Sequence, residues 1–162
     1  MKYKIVGLLE HYNKILYLDV DMFINGSLDK LFESDKPVWQ GVHNFKERLI
    51  TWKSIPKNLE EYYLRDIKSF KHYIKPNSGL LYFTDVIDHK KAIQDARRFI
   101  CDLIDYYSSM LDELSITFML GKQNIEPDYL DNTIYNVLPY KKLTTIVKLY
   151  ISIGILNHRK IQ

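Results

Sequence analysis

Short runs of consecutive apolar residues alternate along this chain with segments in which apolar residues recur at every third or fourth position. The runs at residues 15–18 and 80–83 are continuous, and the second follows a predicted turn at residues 76–79. Such runs are typical of strands buried on both faces of a sheet. Two further apolar segments, at residues 38–42 and 149–156, also favour strands. The pattern therefore predicts four strands.

Segments with helical spacing lie between these strands. They span residues 3–12, 27–32, 59–70, 89–107 and 112–120. Asp112 can cap the last of them, and Gly121 can end it. Because strands alternate with helices, the predicted class is α/β with a mostly parallel or mixed sheet. No linker or repeat divides the sequence, so residues 1–162 are expected to form a single domain.

Two carboxylates follow the first predicted strand directly. Asp19 and Asp21 are two positions apart, so a strand would place both side chains on the same side. Ligands of open α/β sheets bind at the carboxyl ends of the strands. Carboxylate oxygens suit Mg²⁺ or Mn²⁺, whose coordination is usually completed by substrate phosphates. The sequence therefore predicts a divalent-metal site that holds a diphosphate.

Two other kinds of site contain a similar pair of aspartates. A calcium-binding EF-hand loop needs Gly at its sixth position and an acidic residue at its twelfth, where this chain has Ile24 and Lys30. A phosphatase of the haloacid-dehalogenase type usually has Thr or Val two residues after the second aspartate, where this chain has Phe23. The EF-hand is excluded, and the phosphatase remains a weaker alternative.

Residues 15–21, followed by residues 27–32, resemble the signature of the retaining glycosyltransferases of family 8, the glycogenin and lipopolysaccharide galactosyltransferase group. Three later segments resemble further motifs of that family, in the same order. Residues 77–83 are similar to its Asn-Ser/Ala-Gly strand, residues 111–115 to its Asp-Gln motif at a helix start, and residues 155–158 to its late strand ending in a metal-binding His.

The resemblance implies a GT-A-like fold and a hexosyltransferase. Such an enzyme moves a sugar from a nucleotide-diphosphate donor, most often a UDP-sugar, to a saccharide or other acceptor, with retention at the anomeric carbon. It also implies bound Mn²⁺ or Mg²⁺. By position, Asp19, Asp21 and His158 would bind the metal, Asp19, Asn77, Ser78 and Gly79 would contact the donor, and Asp112 and Glu113 would be catalytic residues near the anomeric carbon.

The chain also departs from that family. It lacks the first strand–helix units, which bind the base in the family, and Glu113 stands where Gln is usual. A shortened sheet would leave the strand before Asp19 at an exposed edge. Three explanations stay open: a fragment, a missing half supplied by another chain, or a relative that has lost catalysis and acts as a non-catalytic binding module.

The composition of the chain limits the partners and the cellular location that we expect. The net charge of +3 is small and the basic residues are scattered, so no nucleic-acid partner is expected. No apolar run approaches the roughly 20 residues that span a bilayer, and no signal peptide is visible. With the single Cys101, predicted to be buried, this favours a reducing, cytoplasmic location. Peripheral membrane association and homo-oligomerisation stay open.

Overall fold

A mixed four-stranded sheet with helices packed on it forms the part of the chain that the structure describes. This computed structural model describes residues 2–130 apart from residues 21, 23, 25, 45–55, 72–73 and 107–110. The strands are β1 (Lys14–Leu18), β2 (Val38–Asn44), β3 (Ile74–Thr84) and β4 (Asp128–Tyr129). The helices are two 3-10 helices, η1 (Lys2–Glu10) and η2 (Asp29–Glu33), and three α-helices, α1 (Lys57–Ser69), α2 (His89–Leu103) and α3 (Leu111–Lys122). The predicted α/β class is confirmed, and the mixed sheet is compatible with a GT-A-like fold. The predicted strand at residues 149–156 lies outside the described residues.

The strands lie in the order β1-β3-β2-β4. β3 is antiparallel to both β1 and β2, and the short β4 is parallel to β2. A mostly parallel sheet, one of the two predicted arrangements, is therefore wrong. Because β2 and β3 are adjacent and antiparallel, β2 ends and β3 begins at the same end of the sheet. The segment that joins them, which contains α1, therefore leaves and re-enters the sheet at that end and is not a crossover connection.

A bulge in β3 interrupts its pairing with β2. The pairing is regular up to Trp39, which lies opposite Leu81, but the next pair joins Gly41 to Pro76. β3 therefore has four residues, 77–80, where β2 has one, an excess of three, and residues 77–79 are called the bulge. Along its other edge β3 pairs with β1 in a regular register over residues 80–84. The predicted turn at these residues is thus wrong, because they belong to a strand and bulge from it.

Most of the core lies between one face of the sheet and the helices η1, α2 and α3. An aromatic group joins the helical segments to one another, with Phe118 of α3 at its centre. Its ring centroid lies 4.7 Å from that of Phe99, 5.4 Å from that of Tyr63 and 5.6 Å from that of Phe70. The Tyr63 hydroxyl donates to Asp102 Oδ2 at 2.5 Å, so its polar end is satisfied although the residue is fully buried.

β1 is less buried than predicted. Ile15 is buried, but the other residues of the strand are only partly covered. Within the described residues β1 pairs with no strand other than β3, and η1 covers part of one face. Its continuous apolar run therefore reflects a half-covered strand at the edge of the described sheet.

α2 shows where the helical pattern misassigned two residues. Its buried side is formed by Ala92, Ala96, Phe99, Ile100 and Leu103. Cys101 is exposed, so the prediction that it is buried is wrong, and Ile104, whose apolar side chain fits the same helical pattern, is 48% exposed. Each comes directly after a buried residue in the sequence, and one residue corresponds to about 100° of rotation around the helix axis. That rotation carries the side chain past the edge of the buried face.

α3 ends at Lys122, and Gly121 is not its stop. Asn124 has a φ of 55°, and it is the residue in the left-handed conformation that ends the helix. The backbone N–H of Ile125 donates to Leu120 O at 3.0 Å, and that of Asn124 donates to Gly121 O at 3.0 Å. This pair of bonds is a Schellman motif, so Asn124 ends the helix, a role that the sequence predicted for Gly121.

Gly121 has a steric reason to be glycine. A Cβ atom at this position would lie 2.6 Å from Phe70 Cγ, and Phe70 is only 5% exposed. We expect Gly121→Ala to lower the free energy of unfolding by about 1–2 kcal/mol, because overpacking outweighs the better helix propensity of alanine. Urea unfolding measures this, with Gly26→Ala as control, because a Cβ atom there meets nothing within 4 Å. Equal effects of the two substitutions would contradict the steric explanation.

Candidate functional site

Three of the predicted motifs meet at one end of β1. Asp19 follows β1, residues 77–79 form the bulge of β3, and Asp112 and Glu113 lie in the first turn of α3. The Asp19 backbone N–H donates to Gly79 O at 2.9 Å, which joins the first two motifs directly. The bulge interrupts the pairing of these residues with β2.

Lys2 connects all three motifs. Its ammonium donates to Asp19 Oδ2 at 2.8 Å, to Ser78 Oγ at 3.0 Å and to Ser78 O at 3.1 Å. Its backbone N–H donates to Asp112 Oδ1 at 3.2 Å. One residue at the start of η1 therefore holds together groups that lie far apart in the sequence.

The bulge is fixed by two further hydrogen bonds. Glu113 Oε1 accepts from the Ser78 N–H at 3.3 Å, and Asn77 Oδ1 accepts from the Gly79 N–H at 3.1 Å. The Asp112 side chain therefore bonds to η1 and the Glu113 side chain bonds to β3. Asp112 lies one residue inside the helix, so its predicted role as N-cap is wrong.

The Asp19 carboxylate is held at both oxygens. The Tyr17 hydroxyl donates to Oδ1, while Lys2 binds Oδ2. Partial burial raises the pKa of Asp19, but these two hydrogen bonds and the charge of Lys2 outweigh burial, so the pKa lies below its usual value of 3.8. Asp19 is therefore ionised at neutral pH, as a metal ligand must be.

This lowered pKa predicts a pH dependence of stability. A carboxyl whose pKa is lower in the folded state contributes stability above its unfolded pKa, and that contribution is lost as the pH falls through the folded value. We expect wild type to be more stable than Asp19→Asn at about pH 7, and the difference to shrink below about pH 4. Urea unfolding at several pH values measures this. A difference that stays constant across that range would contradict the assignment.

The donor chemistry at Asp19 fits a divalent cation. The Lys2 ammonium is surrounded by a carboxylate, a carbonyl and a hydroxyl oxygen, which are ligands that Mg²⁺ and Mn²⁺ accept. Within the described ranges no three His, Cys, Asp or Glu side chains converge as a metal cluster. Asp21 and His158, the other predicted ligands, lie outside the described residues.

Sequence reasoning missed Lys2 and Tyr17. Lys2 is the first residue of a helical segment, where a lysine usually indicates a solvated surface. Its partners are 17, 76 and 110 residues away, so no local pattern could reveal them. Tyr17 did carry a signal, because side chains two apart on a strand lie on the same side and its hydroxyl can reach Asp19.

Comparison with known proteins identifies the family of the chain. The sequence model of the family described as "Glycosyl transferase family 8" matches residues 1–84, just over half of the chain. No curated protein and no solved structure matches the chain. The described helices include none that is long and apolar enough to cross a membrane.

The matched segment contains Lys2, Asp19 and the bulge at residues 77–79, but it ends before Asp112 and Glu113. The hydrogen bonds from Lys2 and Ser78 bring those two carboxylates to the matched residues. The chain belongs to glycosyl transferase family 8.

Proposed function

We propose that this chain is the catalytic domain of a metal-dependent glycosyltransferase that uses a nucleotide-diphosphate sugar, with a UDP-sugar as the first candidate. The observation that carries the proposal is the convergence of Asp19, Ser78 and Asp112 on Lys2. Residues that the family match covers and residues beyond it thereby form one polar site. The acceptor would be a saccharide, and transfer would retain the anomeric configuration.

Asp19 would bind Mn²⁺ or Mg²⁺, together with Asp21 and His158. A divalent ion held there would offset the negative charge that develops on the diphosphate leaving group. Two features of the chain support the role of Asp19. Its carboxylate is ionised at neutral pH, and Tyr17 and Lys2 fix its orientation.

Residues 77–79 would line the donor sugar. The side chain of Asn77 and the side chain of Glu113 hold the N–H groups of the bulge, so the bulge is rigid before any donor binds. Rigid placement of polar groups lowers the entropic cost of binding and orients the sugar. Replacing Glu113 by Gln would keep a side-chain acceptor for the Ser78 N–H.

Asp112 would stabilise positive charge at the anomeric carbon. Its carboxylate lies in the first turn of α3, and Oδ1 is held by the Lys2 backbone N–H. A carboxylate close to a developing oxocarbenium ion stabilises it, as in glycoside hydrolysis. The Lys2 ammonium bonds to the Asp19 carboxylate, whereas Asp112 and Glu113 accept backbone N–H groups.

The direct test is calorimetric titration of the protein with a panel of UDP- and GDP-sugars, each with Mn²⁺ and with a chelator. We expect at least one UDP-sugar to bind with Mn²⁺ and to lose its affinity in the chelator, because the diphosphate and Asp19 would share the metal. Binding of no donor in the presence of Mn²⁺ would refute the proposal for this chain.

Two finer parts of the proposal need their own readouts. Proton NMR of the reaction product distinguishes retention from inversion, since the two anomers have different coupling constants. A cytoplasmic location and a single domain spanning residues 1–162 are also proposed, and cell fractionation and limited proteolysis test them. Inverted product would leave the family assignment intact but would remove the proposed stereochemistry.

A further inference from the structure

The Lys2 ammonium occupies the position from which a cation would contact Asp19. Three oxygen atoms, Asp19 Oδ2, Ser78 Oγ and Ser78 O, lie 2.8–3.1 Å from it. The ring centroid of Tyr17 lies 5.3 Å away and adds the attraction of an aromatic face for a cation. The Lys2 side chain is 22% exposed and that of Asp19 is 30% exposed, so water screens this pair only in part.

The oxygens around the ammonium are also those that a divalent ion would use. An ammonium and a metal ion cannot both lie against one carboxylate oxygen without strong repulsion between like charges. The other oxygen, Oδ1, already accepts the hydrogen bond from Tyr17. A metal that approaches Asp19 must therefore compete with Lys2.

We propose that Lys2 is an internal counter-ion of Asp19 that the divalent metal displaces when it binds. This inference rests on the metal site of the proposed function. In the metal-free protein the ammonium neutralises Asp19 and holds Ser78 in place. When the metal binds, the ammonium leaves Asp19, so Lys2 lowers the affinity of the site for metal.

The displacement needs only rotation of the Lys2 side chain. The Lys2 backbone N–H is bonded separately to Asp112 Oδ1, at 3.2 Å, so η1 can stay in place while the ammonium moves. A lysine side chain has four flexible carbon–carbon bonds, which makes such an exchange possible at low cost. The start of η1 would thus keep Asp112 oriented in both states.

The test is the affinity of Mn²⁺ for the protein without donor, measured by calorimetry on wild type, Lys2→Met and Lys2→Gln. Both substitutions remove the charge and keep much of the side chain. We expect both variants to bind Mn²⁺ roughly tenfold more tightly than wild type, because the competing ammonium and its repulsion are gone.

Lys14→Met is the matched control. Lys14 lies at the other end of β1, where its ammonium donates to Phe32 O at 2.8 Å and lies 3.1 Å from Asp35. The substitution changes the net charge by the same amount but removes no group from the site. We expect its affinity for Mn²⁺ to equal that of wild type.

Thermal unfolding gives a second readout that does not depend on activity. In a chelator, the two Lys2 variants should unfold at a lower temperature than wild type, because Asp19 and Ser78 lose a partner. Saturating Mn²⁺ should raise their unfolding temperature by more than it raises that of wild type.

The outcomes separate this inference from the proposed function. Equal Mn²⁺ affinity in wild type and in both Lys2 variants would overturn the competition but leave the metal site standing. Tighter binding in Lys14→Met as well would also overturn it, because the effect would then come from net charge. Absence of Mn²⁺ binding in every variant would refute the proposed metal site, and the competition with it.

Discussion

Replacing Asp19 by asparagine is expected to weaken Mn²⁺-dependent donor binding by more than about a hundredfold. Even residues that only support a metal ligand change metal affinity by about 10- to 100-fold, so loss of a ligand itself should cost more. Asparagine keeps the size of the side chain and one oxygen but removes the charge. It also loses the ion pair with Lys2 at 2.8 Å. Titration of metal and donor into the purified variant measures the effect.

Asp85→Asn is the control for this substitution. Asp85 is exposed and follows β3 at the end away from the bulge, where its backbone N–H donates to Asn13 O. The same chemical change there should leave metal and donor binding unaltered. If Asp19→Asn binds metal and donor as tightly as Asp85→Asn does, Asp19 is not a ligand.

The second large effect concerns stability and not binding. Phe118→Ala is expected to lower the free energy of unfolding by about 3–5 kcal/mol, the usual cost of removing a buried aromatic side chain. Phe118 is 4% exposed, and its ring contacts the rings of Tyr63, Phe70 and Phe99. Its loss leaves a cavity among three helical segments. Chemical denaturation followed by circular dichroism measures the change.

A surface substitution provides the comparison. Val86 is 52% exposed, so Val86→Ala should change the free energy of unfolding by no more than about 0.5 kcal/mol. A loss below about 1 kcal/mol for Phe118→Ala would mean that the aromatic group is not the centre of the core.

Elements whose sequence pattern matches their burial could be predicted from the sequence. The run at residues 80–83 is the clearest case, because all four side chains are buried in the described sheet. Helices α1 and α3 also lie within two residues of their predicted bounds, and α2 begins where predicted but ends at Leu103 instead of residue 107. In each case one local signal, a continuous run or a helical repeat, was enough.

Features that depend on neighbours could not be predicted. Pro, Asn, Ser and Gly occur in tight turns and in bulges alike, so residues 76–79 gave no means of choosing between the two. The choice follows from the register with β2, which pairs Gly41 with Pro76. The antiparallel pairing of β1 with β3 is likewise a tertiary property that strand–helix alternation cannot specify.

The candidate site could be predicted only in part, because it too depends on contacts between distant elements. Three motifs can be recognised in order along the sequence, and they contain Asp19, the bulge residues and Asp112. The structure brings these residues together. Lys2 belongs to no motif, yet it makes the contacts that join them. A long, flexible side chain can reach several elements, and its partners are set by the fold.

The central claim is that a divalent metal binds at Asp19, beside the bulge of β3, and paramagnetic broadening in NMR spectra tests it most directly. Substoichiometric Mn²⁺ should broaden the backbone amide signals of Asp19, Ser78 and Gly79 first. The amide signals of residues 84–88 should persist longest, since they lie at the far end of β3, roughly 20 Å along the strand. Broadening centred elsewhere, or none at all, would contradict the account.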